Sequence, residues 1–231
     1  MKNKLHFLLI GVLAAAPLAL SAQPQQAAPQ ARAAQASKIQ LTDAQKRAIL
    51  AGDTSAVVDA IESAGFSTDA DANGALAADI FNQVFEGADA SGFESGAETV
   101  AATITRAFTQ VASASQSGAA TAQTVRATGK AISKAAVLAA VGKGADPGNV
   151  AQSVARAAQA QVGSAASDGS SEGAGEGAAE AGQDPAGIIA QSDAGSAQAG
   201  GNNAGGGIFV PVAQVTPEDA TVQVISPEGG V

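Results

Sequence analysis

Alanine-rich segments that carry one thin stripe of larger apolar residues extend from residue 97 to residue 162, and this pattern constrains the fold most. Apolar residues recur there at helical spacing, first at Val100, Ile104, Phe108 and Val111 and later at Val150, Val154, Ala158 and Val162. Residues three or four positions apart share one face of an α-helix, and that face packs on other helices. The sequence therefore predicts a mainly α fold, a small alanine-rich bundle of short helices.

Helix start and stop signals place this bundle at residues 39–163. Thr42 and Gln45 have the spacing of a capping box, in which each side chain bonds the backbone of the other residue. Asp146 followed by Pro147 is typical of a helix start, because aspartate caps free amides and proline needs no amide partner in the first turn.

Residues 164–207 consist mainly of glycine, serine, alanine, glutamate and asparagine, and Ile188 and Ile189 are their only large apolar residues. Such a composition buries too little apolar surface to offset the conformational entropy lost on folding. We expect residues 164–207 to be a disordered acidic linker, so that disordered segments flank the bundle on both sides.

The last segment, residues 208–231, regains large apolar residues. Two β-prone stretches, residues 208–212 and 221–225, flank the turn-forming residues 216–219. We expect a short β-prone C-terminal tail that orders only when it docks, and that provides a contact for a protein partner or for self-association. The alternative is a frayed chain terminus.

The first 22 residues have the three parts of a secretory signal peptide. Lys2 and Lys4 precede an apolar run over residues 5–20, and small residues follow up to Ala22. We expect cleavage after Ala22, because the run is shorter than the ~20 residues that span a bilayer; a retained anchor is the alternative. Residues 23–38 would then form a flexible Pro/Gln/Ala leader of a periplasmic or extracellular protein with no transmembrane segment.

Cleavage would also remove His6, the only histidine, and leave a chain without Cys, His, Trp or Tyr. No thiolate or imidazole could then act as base, nucleophile or metal ligand, which excludes Ser-His-Asp and Cys-His catalysis and zinc sites. Catalysis by carboxylates alone, or by serine and lysine, is left open, but no spacing favours it. We therefore expect a protein that is not an enzyme and has no cofactor other than the calcium considered below.

Acidic residues dominate, with 21 Asp and Glu against 12 Lys and Arg, and this balance argues against nucleic-acid binding. The charges are also segregated along the chain. Residues 39–99 hold eleven acids and two bases, residues 100–163 hold six bases and one acid, and residues 164–231 hold nine acids and no base. Either each segment has its own solvated face, or the basic helices dock against the acidic segments.

Residues 69–74, with the sequence DADANG, match the first six positions of an EF-hand calcium loop, where oxygen ligands alternate and a glycine allows a sharp turn. Such a loop needs a glutamate at position twelve, but Ile80 stands there and the nearest acid, Asp79, is one residue early. The alternative is a polar turn whose side chains bond backbone amides before a helix. The candidate ligands of a weak calcium site are Asp69, Asp71 and Asn73.

Residues 49–65 resemble one ankyrin repeat, and residues 144–147 resemble the turn of another. The Thr-Pro-Leu-His signature that opens a helix in that family is absent at both places. The resemblance implies helix–turn–helix pairs and carries no partner or site residue with it.

These features favour an exported, non-enzymatic protein with a structural or interaction role at the cell envelope or in the extracellular space. The alternative is a weak calcium-responsive binding module built on residues 69–74.

Overall fold

The computed structural model describes residues 39–200, and helices joined by short turns make up almost all of this part of the chain. The predicted mainly α fold is confirmed, and no strand occurs among the described residues. The helices are α1 Asp43–Leu50, α2 Thr54–Ala64, α3 Ala70–Val84, α4 Ala90–Ser115, α5 Gly118–Lys143, α6 Pro147–Val162, α7 Ser164–Glu180 and α8 Pro185–Gly200.

Three predictions from the sequence fall outside this range. The signal peptide at residues 1–22, the leader at residues 23–38 and the β-prone tail at residues 208–231 lie outside the described residues. Within residues 39–200, none of the helices combines the length and the hydropathy needed to cross a membrane.

Aspartate side chains cap the even-numbered helices, and this explains where those helices begin. Asp53, Asp89, Asp146 and Asp184 each accept a hydrogen bond from an amide in the first turn that follows. The predicted capping box of Thr42 and the predicted start at Asp146 and Pro147 are both confirmed. Such caps satisfy amides that have no partner inside the helix.

Glycines end the helices that precede these caps. Gly144 and Gly182 take φ values of 74° and 70°, a left-handed conformation that residues with a Cβ atom rarely adopt. The next amide then bonds a carbonyl five residues back, as in Ala145 to Ala140 and Gln183 to Ala178. The helix–turn–helix interpretation of residues 49–65 and 144–147 is therefore confirmed as local structure.

The helices form two layers. Contacts join α1 to α3, α3 to α5 and α5 to α7 in what we call the odd layer, and α2 to α4, α4 to α6 and α6 to α8 in the even layer. Neighbouring helices within a layer run parallel, because the residue numbers of the side chains that pair rise in the same direction on both helices. In the odd layer, Arg126 and Lys134 of α5 pair with Glu172 and Glu180 of α7. In the even layer, Glu98 and Arg106 of α4 bond Arg156 and Gln161 of α6.

A parallel stack of antiparallel helix pairs is the arrangement of α-solenoids, in which each pair contacts only its neighbours along the stack. The same order holds at the start of the stack. The Gln83 side chain of α3 bonds the backbone of Leu41 and Ile39 just before α1, and Lys46 of α1 pairs with Glu86, just after α3, at 2.8 Å.

The main apolar core lies between the layers from α1 to α6. Five residues of the predicted stripe are buried there, and Val100, Ile104 and Phe108 have no exposed surface. Val111 is half-buried against this core, and Ala158 and Val162 lie in a separate small cluster. Phe81, Phe85 and Phe93 form an aromatic cluster in the same core, with ring centroids 4.8 to 6.0 Å apart. Edge-to-face and tilted contacts of this kind add to the stabilisation from burial alone.

The disorder predicted for residues 164–207 is wrong for residues 164–200, which form α7 and α8; residues 201–207 lie outside the described residues. The prediction counted only large apolar side chains. In the structure the glycines of α7 have a packing role, because they let its backbone lie directly on the backbone of α5. Gly129 in the middle of α5 has the same role, since a methyl group there would overlap the Ala166 carbonyl oxygen.

Candidate functional site

The three predicted calcium ligands lie at the start of α3, and two of them have structural partners. Asp69 caps the helix by accepting a hydrogen bond from the Asp71 amide at 2.9 Å. Asn73 is buried, and its side-chain amide accepts from the Ser67 amide at 2.9 Å and donates to the Ser67 carbonyl at 2.8 Å. Asp71 is exposed in the first turn.

This geometry corrects the predicted loop conformation. Residues 69–74 form a cap and the first helical turn, so the alternative of a polar turn before a helix is the one the structure adopts. Gly74 is a packing glycine, because a Cβ atom there would lie 2.8 Å from the Ala127 carbonyl oxygen of α5. Calcium binding by Asp69, Asp71 and Asn73 stays a prediction.

In residues 39–200, no three or more His, Cys, Asp or Glu side chains gather closely enough to hold a metal ion. Asp79, the acid near the predicted twelfth position, is half-buried on α3, and this burial raises the pKa of its carboxyl.

The most organised polar feature of the described surface joins α5 to α7. Arg126, Lys130 and Lys134 recur every four residues on α5, and Glu172, Glu176 and Glu180 recur every four residues on α7. We call these six residues the charge ladder. Because residues four apart share a helix face, the two rows face each other along parallel helices.

Four residues of the ladder form one linked network, and the other two, Lys134 and Glu180, form a separate pair. Glu172 pairs with both Arg126 at 3.2 Å and Lys130 at 2.7 Å. Lys130 also pairs with Glu176 at 2.6 Å, and Lys134 pairs with Glu180 at 2.8 Å. Two side chains therefore bridge successive rungs, which makes a network out of pairs that would separately contribute little.

Glycines lie directly beneath the ladder. A methyl group at Gly169 or Gly173 would overlap the carbonyl oxygen of Arg126 or Lys130, and one at Gly177 would lie 2.9 Å from the Lys134 carbonyl oxygen. The glycines and the glutamates of α7 therefore follow the same four-residue period as the cations of α5. The close backbone contact brings the two charged rows within reach of each other.

The neighbouring charges shift the pKa values of Lys130 and Glu172 at the centre of the charge ladder. Hydrogen bonds from Lys130 hold the pKa of Glu172 below its ordinary value, with a further contribution from Arg126. The bonds to Glu172 and Glu176 in turn raise the pKa of Lys130. Both side chains keep more than a third of their surface exposed, so water screens much of the interaction.

Every cation in residues 39–200 is engaged within the chain. Five of the eight form ion pairs, which are those of the charge ladder together with Lys46 to Glu86 and Arg156 to Glu98. The other three bond neutral oxygens: Arg47 at the Asp43 carbonyl, Arg106 at Gln161 and Lys143 at the Ala88 carbonyl. Of the two charge interpretations, docking of the basic helices on the acidic segments is confirmed.

Two shallow grooves open on the odd layer. One of about 360 Å³ lies where α3, α5 and α7 meet, and Asp71, Gln123 and the Arg126–Lys130–Glu172 part of the charge ladder line it. A second of about 360 Å³ lies at the other end of the α3–α5 contact, between Gln83, Glu86 and Lys143. Charged and amide side chains line both grooves, so polar groups of a partner could hydrogen-bond there.

Sequence reasoning missed α7 and α8, although two signals were present. The first is the shared four-residue period of glycine and glutamate in residues 169–180. The second is an internal repeat, because residues 151–160 and 190–199 share the pattern AQSxAxxAQA and both follow an Asp-Pro pair. The two copies lie in α6 and α8, which pack side by side in the even layer.

No family model matches this chain, and no curated protein or solved structure matches it either.

Proposed function

We propose that this chain is an exported, non-enzymatic interaction protein, whose helical stack binds a protein partner across the odd layer. The observation that supports this most is the parallel stacking of every helix on the helix two places before it. Stacked helix pairs produce extended surfaces to which many helices contribute, and solenoid proteins use such surfaces for binding.

The odd layer is the better candidate face. It carries the charge ladder and both grooves, whose lining residues come from α3, α5 and α7. Residues 39–200 hold eighteen carboxylates and eight cations, and each cation already has an acceptor within the chain. The surface that remains for a partner is therefore anionic, which favours a partner with basic groups.

Export is part of this proposal and is supported by the basic, apolar and small-residue start of the chain. Its test is the mass of the protein recovered from the envelope and from the medium. A mature chain that starts at or within a few residues of Gln23 is expected. An intact Met1 in the exported fraction would contradict export through a cleaved signal.

Crosslinking from two matched positions tests the partner face. Gln123 on α5 and Gln110 on α4 are both exposed helical glutamines, one beside an odd-layer groove and the other in the even layer. We expect a photo-crosslinker at Gln123, in cells, to give a discrete protein adduct, either to a partner or to a second copy, and the same group at Gln110 to give much less. Equal labelling from both positions, or none from either, would refute the odd-layer surface.

The C-terminal peptide, residues 208–231, is proposed as a second contact that helps to place or assemble the protein. Its large apolar residues after a glycine-rich stretch support this. Deletion of residues 208–231 should reduce envelope retention or self-association while leaving the helical content of residues 39–200 unchanged. A truncated chain that is exported, retained and assembled like the full chain would end this part of the proposal.

A further inference from the structure

The apolar core is divided between the first six helices and the last two. The main core contains residues of α1 to α6 and none of α7 or α8. Helices α7 and α8 rest instead on two small clusters, whose large members are Val137 and Ile188 in one and Val125 in the other. The contacts that hold the last helix pair are therefore separate from those that hold the rest of the stack.

Helix α7 depends on docking for its conformation. It contains four glycines in 17 residues and no side chain larger than glutamate, so its own sequence favours the unfolded chain. Docking on α5 supplies backbone contacts at Gly169 and Gly173 and the charge ladder, and α6 and α8 add further contacts. Helix formation and docking of α7 are therefore coupled.

Along the chain, a single residue outside the helices joins α7 and α8 to the first six helices. Gly163 lies between α6 and α7 with φ 79° and ψ −155°, a backbone conformation open to glycine, and it forms no part of either helix. A pivot at Gly163 leaves α6 and its apolar contacts in place when α7 moves.

We propose that α7 and α8 form a latch, which folds as it docks on α5 and α6 and which detaches and unfolds as one unit while α1 to α6 stay folded. The charge ladder makes this step sensitive to ionic strength. Its ion pairs are partly exposed, and screening by salt weakens exposed pairs far more than it weakens buried apolar contacts. Opening uncovers a strip of α5 that includes Gly129, Ser133 and Val137.

Hydrogen exchange of the full chain, read by mass spectrometry, tests the latch. Peptides from α7 and α8 should exchange together and at least about tenfold faster than peptides from α3 and α4, as expected for a local cooperative unit. Raising sodium chloride from about 0.05 M to about 1 M should increase the exchange of α7 and α8 and leave that of α3 and α4 nearly unchanged. Uniform exchange across residues 39–200, or an α7 that does not respond to salt, would overturn the proposal.

Two glycine variants separate undocking from general destabilisation. Gly173→Ala adds a methyl group against the Lys130 carbonyl, whereas Gly142→Ala adds one on α5 where nothing lies within 4 Å. Gly173→Ala should raise the exchange of α7 and α8 roughly ten- to hundredfold and leave α3 and α4 protected. Gly142→Ala should not. If Gly173→Ala leaves α7 protected, or exposes all helices equally, the latch is not an independent unit.

Neutralising the centre of the ladder tests the role of charge. Lys130→Gln removes the side chain that bridges Glu172 and Glu176 but keeps most of its length. Exchange of α7 should then depend less on salt than in the unmodified chain. An unchanged salt dependence would assign the effect to something other than the charge ladder.

Discussion

Gly173 of α7 lies so close to the carbonyl oxygen of Lys130 on α5 that one added methyl group would overlap it, and the Lys130 ammonium reaches past this contact to Glu172 and Glu176. The same pair of residues thus combines the closest backbone approach with the centre of the charge ladder. Because Gly173 has no side chain, the two backbones lie close enough for Lys130 to pair with the neighbouring glutamates.

Phe108→Ala should lower the free energy of unfolding by about 3–5 kcal/mol, because the ring is fully buried in the main core and leaves a cavity. Urea unfolding followed by circular dichroism at 222 nm measures it, since the chain has no Trp or Tyr. Leu50→Ala is the control, because Leu50 is 40% exposed and should change stability by roughly 0.5 kcal/mol or less. A comparable loss in both variants would mean that Phe108 is not a core residue.

Asn73→Ala should cost about 1–3 kcal/mol, because it leaves the Ser67 amide without its partner and removes one of the two donors to the Ser67 carbonyl in a part-buried turn. Asp71→Ala, at an exposed position two residues earlier, is the control and should cost much less. Urea unfolding of the two variants measures the difference. If both variants unfold at the same urea concentration, the Asn73 bridge contributes nothing.

Calcium titration by calorimetry tests the remaining site prediction. If residues 69–74 bind calcium, the dissociation constant should be in the ~10⁻⁴–10⁻³ M range of weak extracellular modules, since the twelfth-position glutamate is absent. The structure adds a condition: Asn73 is buried against Ser67 and must reach the surface before its oxygen can bind an ion, so binding should be accompanied by local rearrangement. A titration without heat at millimolar calcium leaves residues 69–74 with a capping role alone.

Docking of α7 should be strongest in a broad pH window. The pKa of Glu172 is lowered in the folded protein, so its contribution is present above the ordinary value of 4.5 and is lost as the pH falls through the folded value. The pKa of Lys130 is raised, so its contribution is present below 10.5 and is lost as the pH rises through the folded value. Arg126 and Glu176 face the same two groups.

Protection of α7 amides, corrected for the intrinsic pH dependence of exchange, measures this window. Glu172→Gln should remove part of the loss at low pH. If the Glu172→Gln variant loses as much α7 protection at low pH as the unmodified chain, the acid sensitivity does not come from Glu172.

Exchanging the charges of the Lys134–Glu180 pair should restore the protection of α7 that either single charge reversal removes. Lys134→Glu places two carboxylates together, Glu180→Lys places two cations together, and the double variant rebuilds the pair. The coupling energy should be about 0.2–1 kcal/mol, as for exposed ion pairs. Double-mutant analysis of α7 protection measures it, and additive effects would show that the pair does not interact.

The sequence alone determined where helices such as α1 and α6 begin and which large apolar residues fill the core, and it offered docking of the basic segment on acidic segments as one of two interpretations. These properties follow from local rules: caps act within one turn, apolar residues at helical spacing select a face, and opposite charges attract over several ångströms. The burial of Val100, Ile104 and Phe108 could therefore be predicted without coordinates.

Only the tertiary structure decided that residues 164–200 are helical and that residues 69–74 form a helix start. Glycine disfavours an isolated helix. At Gly173 this cost is outweighed by close packing of the α7 backbone on α5 at Lys130, which lies 43 positions away along the chain. Likewise, the alternating oxygens at Asp69, Asp71 and Asn73 satisfy the local pattern of a calcium loop, while the fold directs Asn73 to Ser67 and packs Gly74 on Ala127. In both places a contact between distant segments outweighed a local preference, and such a contact cannot be read from spacing along the chain.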